Sequence, residues 1–326
     1  MRTIEPDVSG HPAATVIIPT FNRWTTLRRC LDALAVQTLG PSRMEVVVVD
    51  DGSTTDGSAG IASRRWPFEL MLLRQHNQGP AAARNRALAH ASAPLTVFVN
   101  DDTILAPDAV ERHVTAQEDA REPTMVLGRF DFVPDFASTP LGRMLTVGSH
   151  LFQYEVLRSG DRADYHFVYT CNLGVPTAAA RGAGFDESFT GPAGEDLDFG
   201  LRLQSDGFSL LFDGGIGALH DHRLTVSSLT RAFATRGEGA VTFVLKHRGR
   251  LGDTRRMAAE LARADRDRLT VAADVDAAAT NLERLLEAVG PGEPAPRAAW
   301  EELNRLSSAA SVQGSLSHPA WRQLAA

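Results

Sequence analysis

The 326-residue chain is poor in cysteine, and its two, Cys30 and Cys171, stand far apart. Two isolated cysteines make neither a disulfide framework nor a zinc site, and they suit a reducing compartment. Lysine is scarcer still. Lys246 is the only one, so the lysine-bearing glycine loop of a P-loop nucleotidase is excluded. The glycine fingerprint of a dinucleotide-binding enzyme is missing too, since Pro19-Thr20-Phe21-Asn22-Arg23 follow the first predicted strand. No stretch reaches the roughly 18–20 apolar residues of a membrane span. Residues 1–10 carry acids and a proline but no apolar core, so they do not read as a signal peptide. A net charge of −7 gives no global argument for nucleic acid or an anionic membrane. A cytoplasmic protein is expected, with peripheral contact to a membrane through an acceptor or partner left open.

What is present is ordinary for a globular protein, with 43% hydrophobic and 22% charged residues. Residues 14–18 form a short β-branched run, and 44–49 an apolar run with four valines, broken only by Glu45. Residues 70–73 and 95–99 continue the series, and 125–130 reads as another strand. Predominantly apolar runs of this length suit strands buried on both faces, as in a parallel sheet. Helical spacing over 25–36 and an alanine-rich stretch at 80–91 separate them, and Pro107 opens a further helix. The alternation predicts an α/β fold: an open, mostly parallel sheet flanked by helices, with ligands beyond the carboxyl ends of the strands. Residues 131–165 are less regular and rich in aromatics. Then follow a strand within 166–175, a helix over 195–205, two short strands near 209–212 and 216–219, and an amphipathic helix over 227–247. Beyond about residue 251 the chain reads as charged amphipathic helices, a helical extension that packs on the domain or on a second subunit.

Four clusters carry candidate chemistry, each beside a plainer reading. Asp50-Asp51-Gly52-Ser53 ends a buried strand. It reads as a turn with a helix cap, or as carboxylates that accept hydrogen bonds from a nucleobase or ribose. Asn100-Asp101-Asp102 ends another, as a solvated acidic loop or as a seat for a hard divalent cation. Glu195 and Asp196 open a helix, where acids favour the helix dipole, or where one serves as a general base. His220-Asp221-His222 follows a short strand, as surface residues or as metal ligands.

In their order and spacing, the segments 16–23, 47–53, 77–85, 97–102 and 191–203 resemble family 2 glycosyltransferases, and the resemblance runs from about residue 14 to about 247. It implies a GT-A fold over residues 12–250, with 12–130 as the nucleotide-binding half, 131–250 as the acceptor and catalytic half, and 251–326 as the C-terminal helical extension. Pro19, Thr20 and Asn22 would line the nucleotide pocket, with Asp50 and Asp51 at the base or ribose and Arg84 near the base and phosphates. Asp102 would be the direct ligand of Mn2+ or Mg2+, and Asp101 would support the ribose or the metal. Asn100 stands where the family's motif has Asp. His220 would add a metal ligand, with His222 as the alternative. Asp196 would be the general base, with Glu195 as second choice, and Asn172 would lie near donor sugar and acceptor. The implied reaction moves a hexosyl group with inversion from a nucleoside-diphosphate sugar, expected to be a UDP-sugar, to a hydroxyl on an unidentified acceptor. A catalytically inactive nucleotide-sugar-binding or scaffold protein of the GT-A fold is the alternative. The missing lysine-bearing activation loop argues against a nucleotidyltransferase. The charged tail helices are candidates for a homodimer contact.

Overall fold

A computed structural model describes residues 11–148, 150–251 and 255–325. The expectation that residues 1–10 hold no leader lies outside the described residues. The chain divides into two units. The first comprises Met1–Phe130, Leu157–Phe185 and Gly200–His220, and the second Asp131–Val156, Asp186–Phe199 and Asp221–Ala326.

The first unit is built on a mixed sheet. Its strands are β1 (Ala14–Thr20), β2 (Met44–Asp50), β3 (Glu69–Arg74), β4 (Leu95–Val99), β5 (Thr103–Leu105), β6 (Thr124–Phe132), β7 (Arg162–Ala163), β8 (Asn172–Pro176) and β9 (Ser209–His220). The order is β3-β2-β1-β4-β8-β6-β9-β5, with β7 also on β9. The neighbours in β3-β2-β1-β4 pair in parallel. From β4 onward the pairs β4–β8, β8–β6, β9–β5 and β9–β7 run antiparallel. The helix Pro80–Leu88 packs on β1 and β2 through Ala81, Ala83 and Ala87, whose small side chains let it lie close to the valines beneath.

Two boundaries differ from the sequence reading for identifiable reasons. β1 runs through Pro19 instead of ending there. Its ladder with β4 stops at Ile17 opposite Phe98, so Pro19 needs only the β2 side and its missing N–H leaves no gap in a two-sided ladder. The stretch expected to hold two short strands is one twelve-residue strand, β9.

β8 is clamped from within. Asn172 is fully buried, and its amide Nδ2 donates to the carbonyls of Arg129 and Ile216 at 3.0 Å each, while its Oδ1 lies 2.9 Å from His113 Nε2. Burial holds the His113 imidazole down at about pKa 4, against its ordinary 6.5, although the Asn172 bond favours the charged form. The sign of the pH effect follows. Between pH 6.5 and 4 the unfolded chain protonates this histidine and the folded chain does not, so stability is lost as pH falls. The expected loss is about 2 kcal/mol by pH 5 and about 3 kcal/mol by pH 4. Denaturant titrations at pH 7 and pH 5 should show that slope, and His113→Gln should remove most of it.

The second unit is helical. Val226–Leu251, Arg268–Glu287 and Arg297–Ser317 enclose a core that includes Leu229, Phe233, Leu282, Leu303 and Leu306, joined by Met144 from the helix Pro140–Val147. A smaller core gathers Val241, Leu261, Leu316 and Trp321. Among the described residues no helix is long and apolar enough to cross a membrane.

Candidate active site

Within the first unit, the ends of β1, β2 and β4 bring the expected polar residues together. Each strand is mostly apolar and turns polar at or just after its last position, so the side chains that follow emerge at one edge of the sheet. Asn22, just past β1, adopts φ 57°, a left-handed conformation that asparagine tolerates better than most residues. There its backbone N–H donates to Ser53 Oγ at 2.7 Å and its Oδ1 accepts from the Thr54 N–H at 2.8 Å, tying the loop after β1 to the loop after β2. Gly52 closes β2 at φ 84°, and a side chain there would meet the Asn77 backbone nitrogen at 2.7 Å.

The two aspartates of that turn have separate duties. Asp50 Oδ1 accepts from the Ser53 N–H at 2.9 Å, and its Oδ2 lies 3.4 Å from Arg74 Nε. Asp51 shapes the loop before the next helix. Its carboxylate accepts from the backbone N–H of Gln78 at 2.9 Å and of Gly79 at 2.8 Å, and from Gln75 Nε2 at 2.8 Å. Beside it lies a cleft of about 550 Å³ lined by Gly52, Arg74, Gln75, His76, Asn77, Gln78 and Arg86. The buried Arg84 guanidinium lies over the Phe185 ring and reaches Asn100 Oδ1 at 3.4 Å.

After β4, Asp101 and Asp102 are both buried. Thr20 Oγ1 donates to Asp101 Oδ2 at 2.8 Å. Arg23 bridges the two acids, with Nε 3.3 Å from Asp101 Oδ1 and Nη2 on Asp102 Oδ2. His220, at the end of β9, places Nε2 3.2 Å from Asp102 Oδ2 and stacks its ring on Phe130. That spacing suits neighbouring corners of an octahedron with metal–ligand bonds of about 2.1 Å, and a carboxylate with an imidazole is a donor set that Mn2+ accepts. These residues therefore fit a divalent cation. The Cys30 thiol nearby is pushed well up, first by burial and then by the charges of Asp101 and Asp102, so it stays a protonated thiol and no nucleophile.

Glu195 and Asp196 belong to the second unit, at the start of the helix Glu195–Ser205. Glu195 is buried and Asp196 half-buried, with Oδ1 accepting from the Leu197 N–H at 2.9 Å. Two positions on, Asp198 is fully buried between Lys246 Nζ at 2.6 Å and His247 Nε2 at 2.8 Å. Lys246 also holds Asp186. Burial alone would raise the Asp186 carboxyl, but the Lys246 ammonium and the Ser188 N–H hold it at about pKa 2. Lys246→Met should cost about 2 kcal/mol, because it leaves a buried carboxylate short of a cation, and Lys246→Arg should restore part of it. Urea denaturation of the three proteins checks this.

Asn172, expected near donor sugar and acceptor, lies opposite Val99, directly before Asn100-Asp101-Asp102, and its amide makes the sheet clamp described above. His222 follows His220 by two residues but falls in the second unit. The residues that sequence reasoning missed are Arg23 and the Asp198–Lys246–His247 group. A single lysine in a chain that otherwise uses arginine was the one available signal for the latter. A cavity of about 950 Å³, lined by Asp108, Arg112, Arg162 and Asp213 among others, contains none of the expected site residues.

Residues 15–175 match the family described as Glycosyl transferase family 2. Validoxylamine A glucosyltransferase of Streptomyces hygroscopicus subsp. limoneus is 31% identical over 259 residues, which cover 69% of this chain and 56% of that protein. Pre-mycofactocin glycosyltransferase of Mycobacterium tuberculosis is 28% identical over 256 residues, 74% of this chain and 50% of that protein. The chain thus spans about half the length of these relatives. Mannosyltransferase PcManGT from Pyrobaculum calidifontis, solved in complex with GDP-Man and Mn2+, aligns with a TM-score of 0.59 and 22% identity over 95% of this chain and 89% of that one. TarS 1-349 of S. aureus, solved with UDP-GlcNAc, aligns with a TM-score of 0.52 and 16% identity over 95% and 91%. The fold is that of the GT-A transferases.

Proposed function

Residues 15–175 make the chain a member of glycosyl transferase family 2, and from that membership we propose that it transfers a hexosyl group from a nucleoside-diphosphate sugar, a UDP-sugar first, to an acceptor hydroxyl with inversion. The observation that carries this reading is the gathering of Thr20, Asn22, Asp51, Arg84, Asp101 and Asp102 at the ends of β1, β2 and β4, with His220 on Asp102. Pro19, Thr20, Asn22, Asp50, Asp51, Asn100 and Asp101 receive base and ribose, and Arg84 receives phosphate charge. Asp102 and His220 are the residues that would hold Mn2+ or Mg2+, which when bound stabilises charge on the leaving nucleoside diphosphate. Asp196, or Glu195 in its place, accepts the proton of the attacking hydroxyl. The displacement is direct, so the protein needs no nucleophile of its own. The proposal assigns residues 12–250 to the transferase, residues 251–326 to a helical extension with a candidate role in homodimerisation, and the enzyme to the cytoplasm. Two free, buried cysteines support the last of these.

Calorimetry with UDP, GDP and dTDP, each with and without Mn2+, tests the donor side. Binding of one nucleotide that tightens with Mn2+ supports the reading. Binding of none under either condition overturns it in favour of an inactive scaffold.

A further inference from the structure

We propose that Arg23 is a built-in cation that competes with the divalent metal for the two carboxylates after β4, so that metal entry and release of the Arg23 guanidinium are one coupled event. The inference rests on the donor-site reading above, and it concerns a residue to which that reading gives no role.

The geometry supplies the argument. Asp101 and Asp102 are neighbours in sequence and both buried, with side chains 7% and 4% exposed. Adjacent buried carboxylates repel one another unless positive charge lies between them. Arg23 supplies it through two different nitrogens, Nε to Asp101 Oδ1 at 3.3 Å and Nη2 to Asp102 Oδ2. The oxygen that Arg23 takes on Asp102 is the same Oδ2 that faces His220 Nε2 at 3.2 Å. A metal held by Asp102 and His220 would therefore meet a guanidinium already on its ligand atom, and two cations on one oxygen repel. One of them has to leave or move aside.

The structure also indicates which can move. The carboxylates are anchored, Asp101 by Thr20 Oγ1 at 2.8 Å and Asp102 by His220. The Arg23 side chain is 34% exposed and reaches the acids from the start of the helix Trp24–Leu34. Its backbone carbonyl is fixed by the Leu27 N–H at 2.9 Å and Thr26 Oγ1 at 2.8 Å, so the stem stays put while the long side chain can swing. A guanidinium displaced from carboxylates next seeks another planar anion, and a diphosphate offers one. Metal and nucleoside diphosphate should then bind with mutual assistance. The metal frees Arg23, and the diphosphate gives the freed guanidinium a partner.

The test is direct Mn2+ binding to the full chain, read by the electron paramagnetic resonance signal of free Mn2+, with and without UDP. Without UDP, Arg23→Met should bind Mn2+ at least about tenfold more tightly than the unaltered protein, because the competing cation is gone. Arg23→Lys, whose point charge cannot bridge both acids, should fall between the two. UDP should tighten Mn2+ binding strongly in the unaltered protein and much less in Arg23→Met. Thermal unfolding of each variant establishes that it is folded, and Arg23→Lys stands in if the methionine variant is not. Equal or weaker Mn2+ binding in both Arg23 variants, with Mn2+ still bound through Asp102, overturns the competition and leaves the donor-site reading intact. No Mn2+ binding to any of the proteins, with or without UDP, overturns both.

Discussion

Asp102→Asn should make nucleotide binding indifferent to Mn2+ and lower turnover on the order of 100-fold or more. The side chain keeps its shape but loses the negative charge that both His220 and Arg23 address. A hard divalent cation binds anionic oxygen far better than amide oxygen, so the carboxylate, not the space it fills, is what the site needs. Folding should be little affected. The acid's partners are a half-exposed arginine and a histidine, and Asp101 remains to receive Arg23. Calorimetry with UDP then separates the possibilities. In the unaltered protein Mn2+ should raise the affinity and a chelator should return it to the metal-free value. In Asp102→Asn both titrations should give that lower value. A variant that keeps the full Mn2+ dependence would move the metal away from Asp102, and His220→Ala would then have no reason to weaken it. The same comparison addresses Asn100. Its Oδ1 is engaged by Arg84 at 3.4 Å and its N–H by Thr103 Oγ1 at 3.1 Å. It thus holds the loop from which Asp101 and Asp102 project, and an aspartate there is not required for their placement.

The parts of this fold that sequence displays are those in which local pattern and tertiary role agree. The valines of β2 and the apolar run of β4 read as buried strands because both faces are covered, and the acids just after them read as site residues because nothing in a strand explains an abrupt change to carboxylates. The parts that stayed hidden depend on partners distant in the chain. Gly214 and Gly215 look like a turn between two strands. In the structure β9 runs through them without a break, so the two glycines do not separate two strands. The family resemblance sets Asn172 near donor sugar and acceptor and says nothing of its amide, which is spent on carbonyls of two neighbouring strands and on His113. The antiparallel half of the sheet was hidden for the same reason. Strand direction past β4 is set by which elements pair, and Leu127 of β6 meets Leu173 of β8 across more than forty intervening residues. Arg23 beside Asp101 and Asp102, and Lys246 beside Asp198, are pairings between residues about fifty or more positions apart, which no local pattern announces.

Asp196→Asn should lower kcat on the order of a thousandfold while the donor's binding constant stays within about twofold, the pattern of a lost proton acceptor and not of a lost binding contact. The local structure favours that role for Asp196 over Glu195. Both lie in the first turn of the helix Glu195–Ser205, where a carboxylate is favourable with the helix dipole. Glu195 is buried, whereas Asp196 is half-buried and so more accessible to an incoming hydroxyl. Asp198 fixes the face on which each points. At about 100° per residue Asp196 lies roughly 160° around the helix from Asp198, so pinning Asp198 between Lys246 and His247 turns Asp196 away from that buried group. Glu195→Gln is the informative partner experiment. If Asp196 is the base, the Glu195 variant should lose stability more than turnover, since an altered buried side chain disturbs packing first. If turnover falls a thousandfold in Glu195→Gln and barely in Asp196→Asn, the proton acceptor is Glu195. If neither variant loses more than tenfold, no carboxylate at the start of this helix takes the proton, and the displacement must draw its base from elsewhere. Donor affinity measured by calorimetry in each variant keeps these outcomes apart from a simple loss of the nucleotide site.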